Sequence, residues 1–281
     1  MVGKWQAFLD RFKHHAYVRR PPLVLINGLS EQSESWFRNH WFWRRHFDVH
    51  MPNILVYEGA AIHRRIDEGL PVDVDYLVEQ LHLYLESFVQ TPPYHLVASS
   101  LGGKVAVEYA VRYPENIDRM VLLCPSGMGD EERLPIVDGV RRNDPRAIVD
   151  SVFSDSRLVD PNILEYYQRQ FASRRWRAGL LRSIRGTMDH CVRDRLSQVA
   201  QPTLLISGQD DRIVDPEQAA AAAKLLPQGQ FMSIPQCGHA PQMEKPWLIN
   251  RLVVEFLTGP CPAAKPRIPE PVIMAKPSSV A

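Results

Sequence analysis

Cysteine is scarce in this chain: four residues in 281, at Cys124, Cys191, Cys237 and Cys261. They form no C-x-x-C pair and lack the spacing of metal ligands, so the sequence offers neither a metal site nor a disulfide framework. A chain of this length buries enough apolar surface without cross-links. Reduced thiols in a cytoplasmic protein are therefore expected. Excess charge of one sign is missing as well. The 33 Lys and Arg against 32 Asp and Glu leave a net charge of +1, without the basic footprint that nucleic-acid binding requires. Long apolar runs are also absent. None approaches the roughly 20 residues that cross a bilayer, so no stable membrane insertion is expected. The opening MVGKWQAFLDRFKHHAYVRR lacks the apolar middle and small-residue cleavage site of a secretory leader.

What is present is 45% hydrophobic, enough for one core and an inserted subdomain. No internal repeat is visible. Short apolar runs alternate with helix-period segments, which indicates an α/β fold with a mostly parallel sheet and helices on both faces. Strands are expected at Pro22–Ile26, Ile54–Tyr57, Tyr94–Ala98, Met120–Cys124, Thr203–Ser207 and Phe231–Ile234. Helices are expected over Val72–Val89, Gly102–Tyr113, Pro216–Leu226 and Pro246–Leu257. Residues 130–197 break this rhythm with arginine-rich helical stripes and no buried strand, as an inserted helical cap does. The core then comprises 21–129 and 198–258. Residues 1–20 read as a helical segment, with Trp5, Phe8, Leu9 and Phe12 on one stripe. Packing on the domain's own core is the first reading of that stripe, and a membrane-surface helix the second. Residues 259–281 are proline-rich and aperiodic, the composition of a disordered tail.

The sharpest local feature is Val97-Ala98-Ser99-Ser100-Leu101-Gly102-Gly103, between a strand and a helix. A nucleophile on such a turn is held in a strained conformation above the sheet. Close backbone approach then requires small residues two before and two after it. Ala98 and Gly102 satisfy this for Ser100, whereas Val97 and Leu101 are too bulky for Ser99 to be the nucleophile. The competing reading is a serine that merely caps the helix.

Three further segments stand in order along the chain: Leu25-Ile26-Asn27-Gly28-Leu29-Ser30, then Leu204 to Val214 with Gly208-Gln209-Asp210-Asp211, then Cys237-Gly238-His239-Ala240-Pro241 running on to Glu244-Lys245-Pro246. Together with the elbow they resemble the α/β-hydrolase superfamily from about Pro21 to Leu257. The resemblance implies a Ser100, Asp211, His239 triad, with oxyanion donors at the amides of Leu29 and Leu101, each such donor being worth about 10²–10³ in rate. Asn27 and Gly28 would border the substrate. Asp210 is the alternative acid, and Cys237 reads as a small apolar filler rather than a nucleophile. Two features depart from the family. Asn-Gly stands where His-Gly is usual, and the opening β-hairpin is missing.

The implied activity is serine hydrolysis of a carboxylic ester of a small or medium apolar acyl substrate, with no cofactor and no metal. The same residues suit carbon–carbon hydrolysis of a diketone-type substrate or thioester cleavage. Trp176 and the cap arginines are candidates for holding a substrate carboxylate, against the plainer reading of a solvated helix face. A non-catalytic binding protein on this fold is the remaining alternative.

Overall fold

The computed structural model describes residues 20–129, 137, 139 and 142–260. The expected N-terminal helical segment and the proline-rich tail beyond Pro260 therefore lie outside the described residues, as does Cys261. The strands are β1 (Pro22–Ile26), β2 (Asp48–His50), β3 (Tyr94–Ser99), β4 (Ile117–Leu123), β5 (Thr203–Gly208) and β6 (Gly229–Ile234). They form one sheet in the order β2-β1-β3-β4-β5-β6, parallel throughout.

Leu23, Val24, Leu25 and Ile26 are all fully buried, because a parallel sheet covered on both faces gives no side chain of a central strand access to water. Alternation along the strand then divides them. Val24 and Ile26 join the cluster that holds Leu96, Ala98, Leu122 and Leu205. Leu23 and Leu25 join the one with Val97, Val121, Leu123 and Ile206. Truncating such a residue, as in Leu25→Ala, costs about 2–5 kcal/mol.

The helices are α1 (Ala60–Asp67), α2 (Val74–Tyr84), α3 (Leu101–Arg112), α4 (Pro145–Val152), α5 (Pro161–Ala172), α6 (Arg174–Thr187), α7 (Pro216–Ala223) and α8 (Pro246–Thr258), with a short helical turn at His40–Trp43. Residues of α2, α3 and α7 pack in the first cluster, and those of α8 with Trp36, Trp43 and Phe47 in the second. Helices α4, α5 and α7 each open on an Asp-Pro pair, the aspartate accepting a first-turn amide. The cap satisfies an orphan donor, and proline at the next position gives up only an amide that has no partner there. No helix among the described residues is long and apolar enough to cross a membrane.

The strand expected at Ile54–Tyr57 is a loop. Leu55 and Tyr57 face inward and Val56 outward, the same alternation as a half-buried strand. However, the place beside β1 is taken by Asp48–His50, whose polar sequence gives no strand signal. Residues 54–57 are thereby kept from pairing with β1, and they form no ladder in the sheet.

The segment between β4 and β5 contributes α4, α5 and α6. Helix α6 rests on the core through two glycines one face and two turns apart. A methyl on Gly179 would fall 2.4 Å from the Tyr57 carbonyl oxygen, and one on Gly186 would fall 2.2 Å from that of Val72. Only glycine permits that approach.

Candidate active site

Strand β3 ends at Ser99 and α3 begins at Leu101, so Ser100 makes the whole turn. It holds φ 50° and ψ −118°, a region that L-residues occupy only when their surroundings enforce it. Here the Ser100 amide donates to the Leu123 carbonyl at 3.0 Å, while the Ser100 carbonyl accepts from Gly103 at 2.8 Å and Ser126 at 3.1 Å. A methyl on Gly102 would fall 2.6 Å from the Ile26 carbonyl oxygen, so β1 passes too close for any other residue. At the opposite flank Ala98 is fully buried, and its methyl is accommodated.

Ser100 Oγ lies 2.8 Å from His239 Nε2, and His239 Nδ1 lies 2.8 Å from Asp211 Oδ2. All three residues are buried. The other carboxylate oxygen of Asp211 accepts the amides of Ile213 at 2.8 Å and Val214 at 3.0 Å. Burial pushes the Asp211 carboxyl up. The charge and hydrogen bond of His239 and the two amides outweigh it, leaving the group below its ordinary value and hence ionised. Asp210, the alternative acid, is exposed to solvent.

The loop after β1 runs across the top of Ser100. A methyl on Gly28 would fall 3.0 Å from Ser100 Cβ. Ser30 adopts φ 62°, and its amide donates to the Tyr57 hydroxyl at 2.8 Å. The Gly28 amide donates to Glu31 Oε2 at 3.1 Å, and the Glu31 amide to the Gly28 carbonyl at 3.4 Å. The amides of Leu29 and Leu101 donate to no group among the described residues. That of Leu101 also heads α3, where the helix dipole favours negative charge.

Two residues expected at the substrate are committed elsewhere. Asn27 Oδ1 accepts the Trp36 indole N–H at 2.8 Å. Trp176 is 1% exposed and packs edge-on to Tyr57 and tilted against Phe171 in the seam between insertion and core.

Three residues missed from sequence hold the site in place. Glu31 Oε2 braces the loop over Ser100 as described. Glu244 Oε1 accepts the Gly238 amide at 2.7 Å, while its Oε2 accepts the amide and hydroxyl of Ser154 at 3.0 and 2.7 Å. The His239 amide donates to the Val152 carbonyl at 2.7 Å. The histidine loop is thus tied to the end of α4. Its signal was present in the Glu-Lys-Pro that follows His239. Buried Lys104, one turn after Ser100, donates to the carbonyls of Thr187 at 2.9 Å and Met188 at 3.3 Å at the end of α6. A cavity of about 30 Å³, lined in part by Ser100, Leu29, Ile184 and Ile213, touches the site.

Cys124, Asp211 and His239 bring possible metal-ligand atoms within 4.8 Å of one another. Asp211 and His239 already bond each other, and burial raises the Cys124 thiol well above its ordinary value. A thiol kept protonated is a poor ligand, so this donor set does not fit a resident metal. Cys237 is likewise pushed up to about 12, first by burial and then by Glu244, which disqualifies it as a thiolate nucleophile.

A family model for the alpha/beta hydrolase fold matches residues 21–246, and the chain belongs to that family. It is 22% identical over 273 residues to monoacylglycerol lipase ABHD6 of Homo sapiens, covering 85% of this chain and 76% of that protein. It is 27% identical over 264 residues to 2-hydroxy-6-oxo-2,4-heptadienoate hydrolase of Pseudomonas putida, covering 85% and 89%. Among solved structures it resembles a meta-cleavage product hydrolase from Pseudomonas fluorescens, with a TM-score of 0.74, 21% identity and 85% and 91% coverage. Hydrolysis is the chemistry common to these relatives.

Proposed function

We propose that this chain is a serine hydrolase that cleaves a carboxylic ester through an acyl-enzyme. The observation that carries this reading is the unbroken line from Ser100 Oγ through His239 to Asp211, both links at 2.8 Å, set on a strained turn.

In this reading His239 Nε2 takes the Ser100 proton as Oγ attacks the carbonyl carbon, and Asp211 fixes the tautomer and stabilises the imidazolium. The tetrahedral oxyanion falls between the amides of Leu29 and Leu101. His239 then protonates the departing alkoxide. A water deprotonated by the same nitrogen releases the acid and restores Ser100. Leu29, Ile184 and Ile213 line the small cavity at Ser100 together with Lys104, Ser126 and Thr187, and the apolar side chains among them are the surface offered to an acyl group.

The names of two relatives favour a second reading, hydrolysis of a carbon–carbon bond next to a ketone. The same triad and oxyanion amides serve that reaction.

Intact-mass analysis after treatment with a fluorophosphonate, on wild type and Ser100→Ala, tests the nucleophile. A single adduct on the wild type alone is expected, with short- and medium-chain ester turnover lost in the variant. Adduct formation without ester turnover, but with cleavage of a diketone, selects the second reading. No adduct on a folded wild type overturns both.

A further inference from the structure

Two adjoining helical surfaces over the second core cluster carry large apolar side chains in the open. One is the turn around His40–Trp43. Its inner side is anchored, with Trp43 Nε1 donating to the Asn250 carbonyl at 3.3 Å and Asn39 Nδ2 to Asn250 Oδ1 at 2.8 Å. Its outer side presents Trp41, 68% exposed, with Phe37 one turn before it and Arg44 and Arg45 one turn after. The other is the first turn of α8. It buries Ile249, Asn250 and Val253 and leaves Trp247 77% exposed beside Leu248 and Arg251. The Asn250 bonds hold the two elements together.

Single exposed apolar residues are common, but two open tryptophans with Phe37 and Leu248 on adjoining elements make a patch that marks an interaction surface. Its charge identifies the partner. The guanidinium of Arg44 lies 5.3 Å from the Trp41 ring centroid and that of Arg45 6.0 Å from Phe42. Among the described residues no carboxylate pairs with Arg44, Arg45 or Arg251. Indole and guanidinium together match the headgroup layer of a bilayer: the ring sits between water and acyl chains, and the cation meets lipid phosphate.

We propose that this face docks reversibly on an anionic lipid surface. The competing occupant is the chain's own first nineteen residues, which precede Arg20, whose Nη1 donates to the Arg44 carbonyl. Those residues carry Lys4, Arg11, Lys13 and Arg19 against a single acid, Asp10. Their charge has the same sign as the patch and is repelled by it. The same charge adds to the attraction for an anionic surface.

Docking here also orients the molecule. Phe37 forms part of the wall of a cavity of about 310 Å³, and Arg38 part of one of about 440 Å³; Met243 and Ile163 border both. These openings, which share Phe37 and Arg38 with the turn that carries the patch, are the proposed entry for a lipid acyl chain. That clause rests on the hydrolase reading, whereas the docking does not.

Co-sedimentation of full-length Ser100→Ala protein, which consumes no lipid, tests the surface. Binding is expected to phosphatidylcholine vesicles that contain phosphatidylglycerol, to weaken with added salt, and to be slight on phosphatidylcholine alone. Trp41→Ala with Trp247→Ala, and separately Arg44→Gln with Arg45→Gln, each lower the partition about tenfold or more. Phe88→Ala, on an exposed residue elsewhere, leaves it unchanged. With Ser100 intact, both double variants keep wild-type turnover of a soluble short-chain ester. Absence of binding, indifference to phosphatidylglycerol, or unaltered binding by the double variants overturns the proposal. Absence of binding together with a lower Tm for the tryptophan variant in vesicle-free buffer assigns the face to the chain's own N-terminal segment, which also overturns it. If docking holds but no substrate turns over with Ser100 present, it is the hydrolase reading that fails.

Discussion

Glu244 joins Ser154 to Gly238 through a single carboxylate, one oxygen for each side of the seam between α4 and the histidine loop. Both sides present amide N–H donors, so the bridge requires two accepting oxygens and nothing else.

Glu244→Gln replaces one acceptor with a donor and faces it with a backbone N–H. A buried donor left unpaired costs about 1–3 kcal/mol. Because the His239 amide is held to Val152 in the same seam, kcat is expected to fall with little change in KM. Glu244→Ala, which opposes no donor with a donor, is expected to lose comparable activity. Steady-state kinetics and thermal melts of both variants check this.

Asp211→Asn preserves the shape of the triad but removes the carboxylate that fixes the tautomer of His239. A loss of about 10⁴ in kcat is expected, with slower fluorophosphonate labelling. Asp210→Asn, at an exposed position, is expected to stay near wild type. The reverse ranking would place the acid at Asp210.

Burial raises the Glu31 carboxyl above its ordinary value, outweighing the Gly28 amide and the charge of His239. The folded state thus binds this proton more tightly than the unfolded chain does. Stability from this group is fully present below the unfolded value of about 4.5 and declines as pH rises through the raised folded value. Glu31→Gln removes that term, so the gap between the two proteins should shift in favour of the variant as pH rises. Urea melts that start at about pH 4, near the ordinary carboxylate value, and run upward measure it. A constant gap would contradict the assignment.

Asp211 has the opposite sign. Its carboxyl is held below the ordinary value of about 3.8, so its contribution is present above that value and is lost as pH falls through the lower folded value. In Asp211→Asn the acid limb of the stability profile should flatten, which the same melts, extended to lower pH, read.

Gly179→Ala drives a methyl to 2.4 Å from the Tyr57 carbonyl, so α6 or residue 57 has to move. The Tyr57 hydroxyl accepts the Ser30 amide, beside the loop over Ser100. Lower stability and a lower kcat are expected together. Gly69→Ala, with open space around it but φ 72°, should cost about 1 kcal/mol and leave turnover unchanged.

The sequence alone was enough for what depends on local pattern and on order along the chain. Runs such as Leu23–Ile26 and Leu204–Ile206 are apolar at successive positions, which fits strands buried in a parallel sheet. Ala98 and Gly102 distinguish Ser100 from Ser99 because the turn admits only small neighbours. Tertiary structure decided whatever depends on a remote partner. Asp48–His50 becomes a strand because β1 offers it an edge, and the better-patterned Ile54–Tyr57 is left a loop because that edge is occupied. Asn27 has the polarity of a substrate contact, yet the Trp36 indole claims its oxygen. Trp176 has the size of a pocket wall, yet Tyr57 and Phe171 enclose it. Glu31 and Lys104 read as ordinary charges, since no local pattern shows a charged side chain turning inward to meet backbone groups of a distant segment; Glu244 stood in a legible Glu-Lys-Pro run, but its partners Gly238 and Ser154 came only with the packing. Hydrogen-bond geometry is set by the final packing of the chain, and that packing is what brings Ser100, His239 and Asp211, up to 139 positions apart in sequence, into one line.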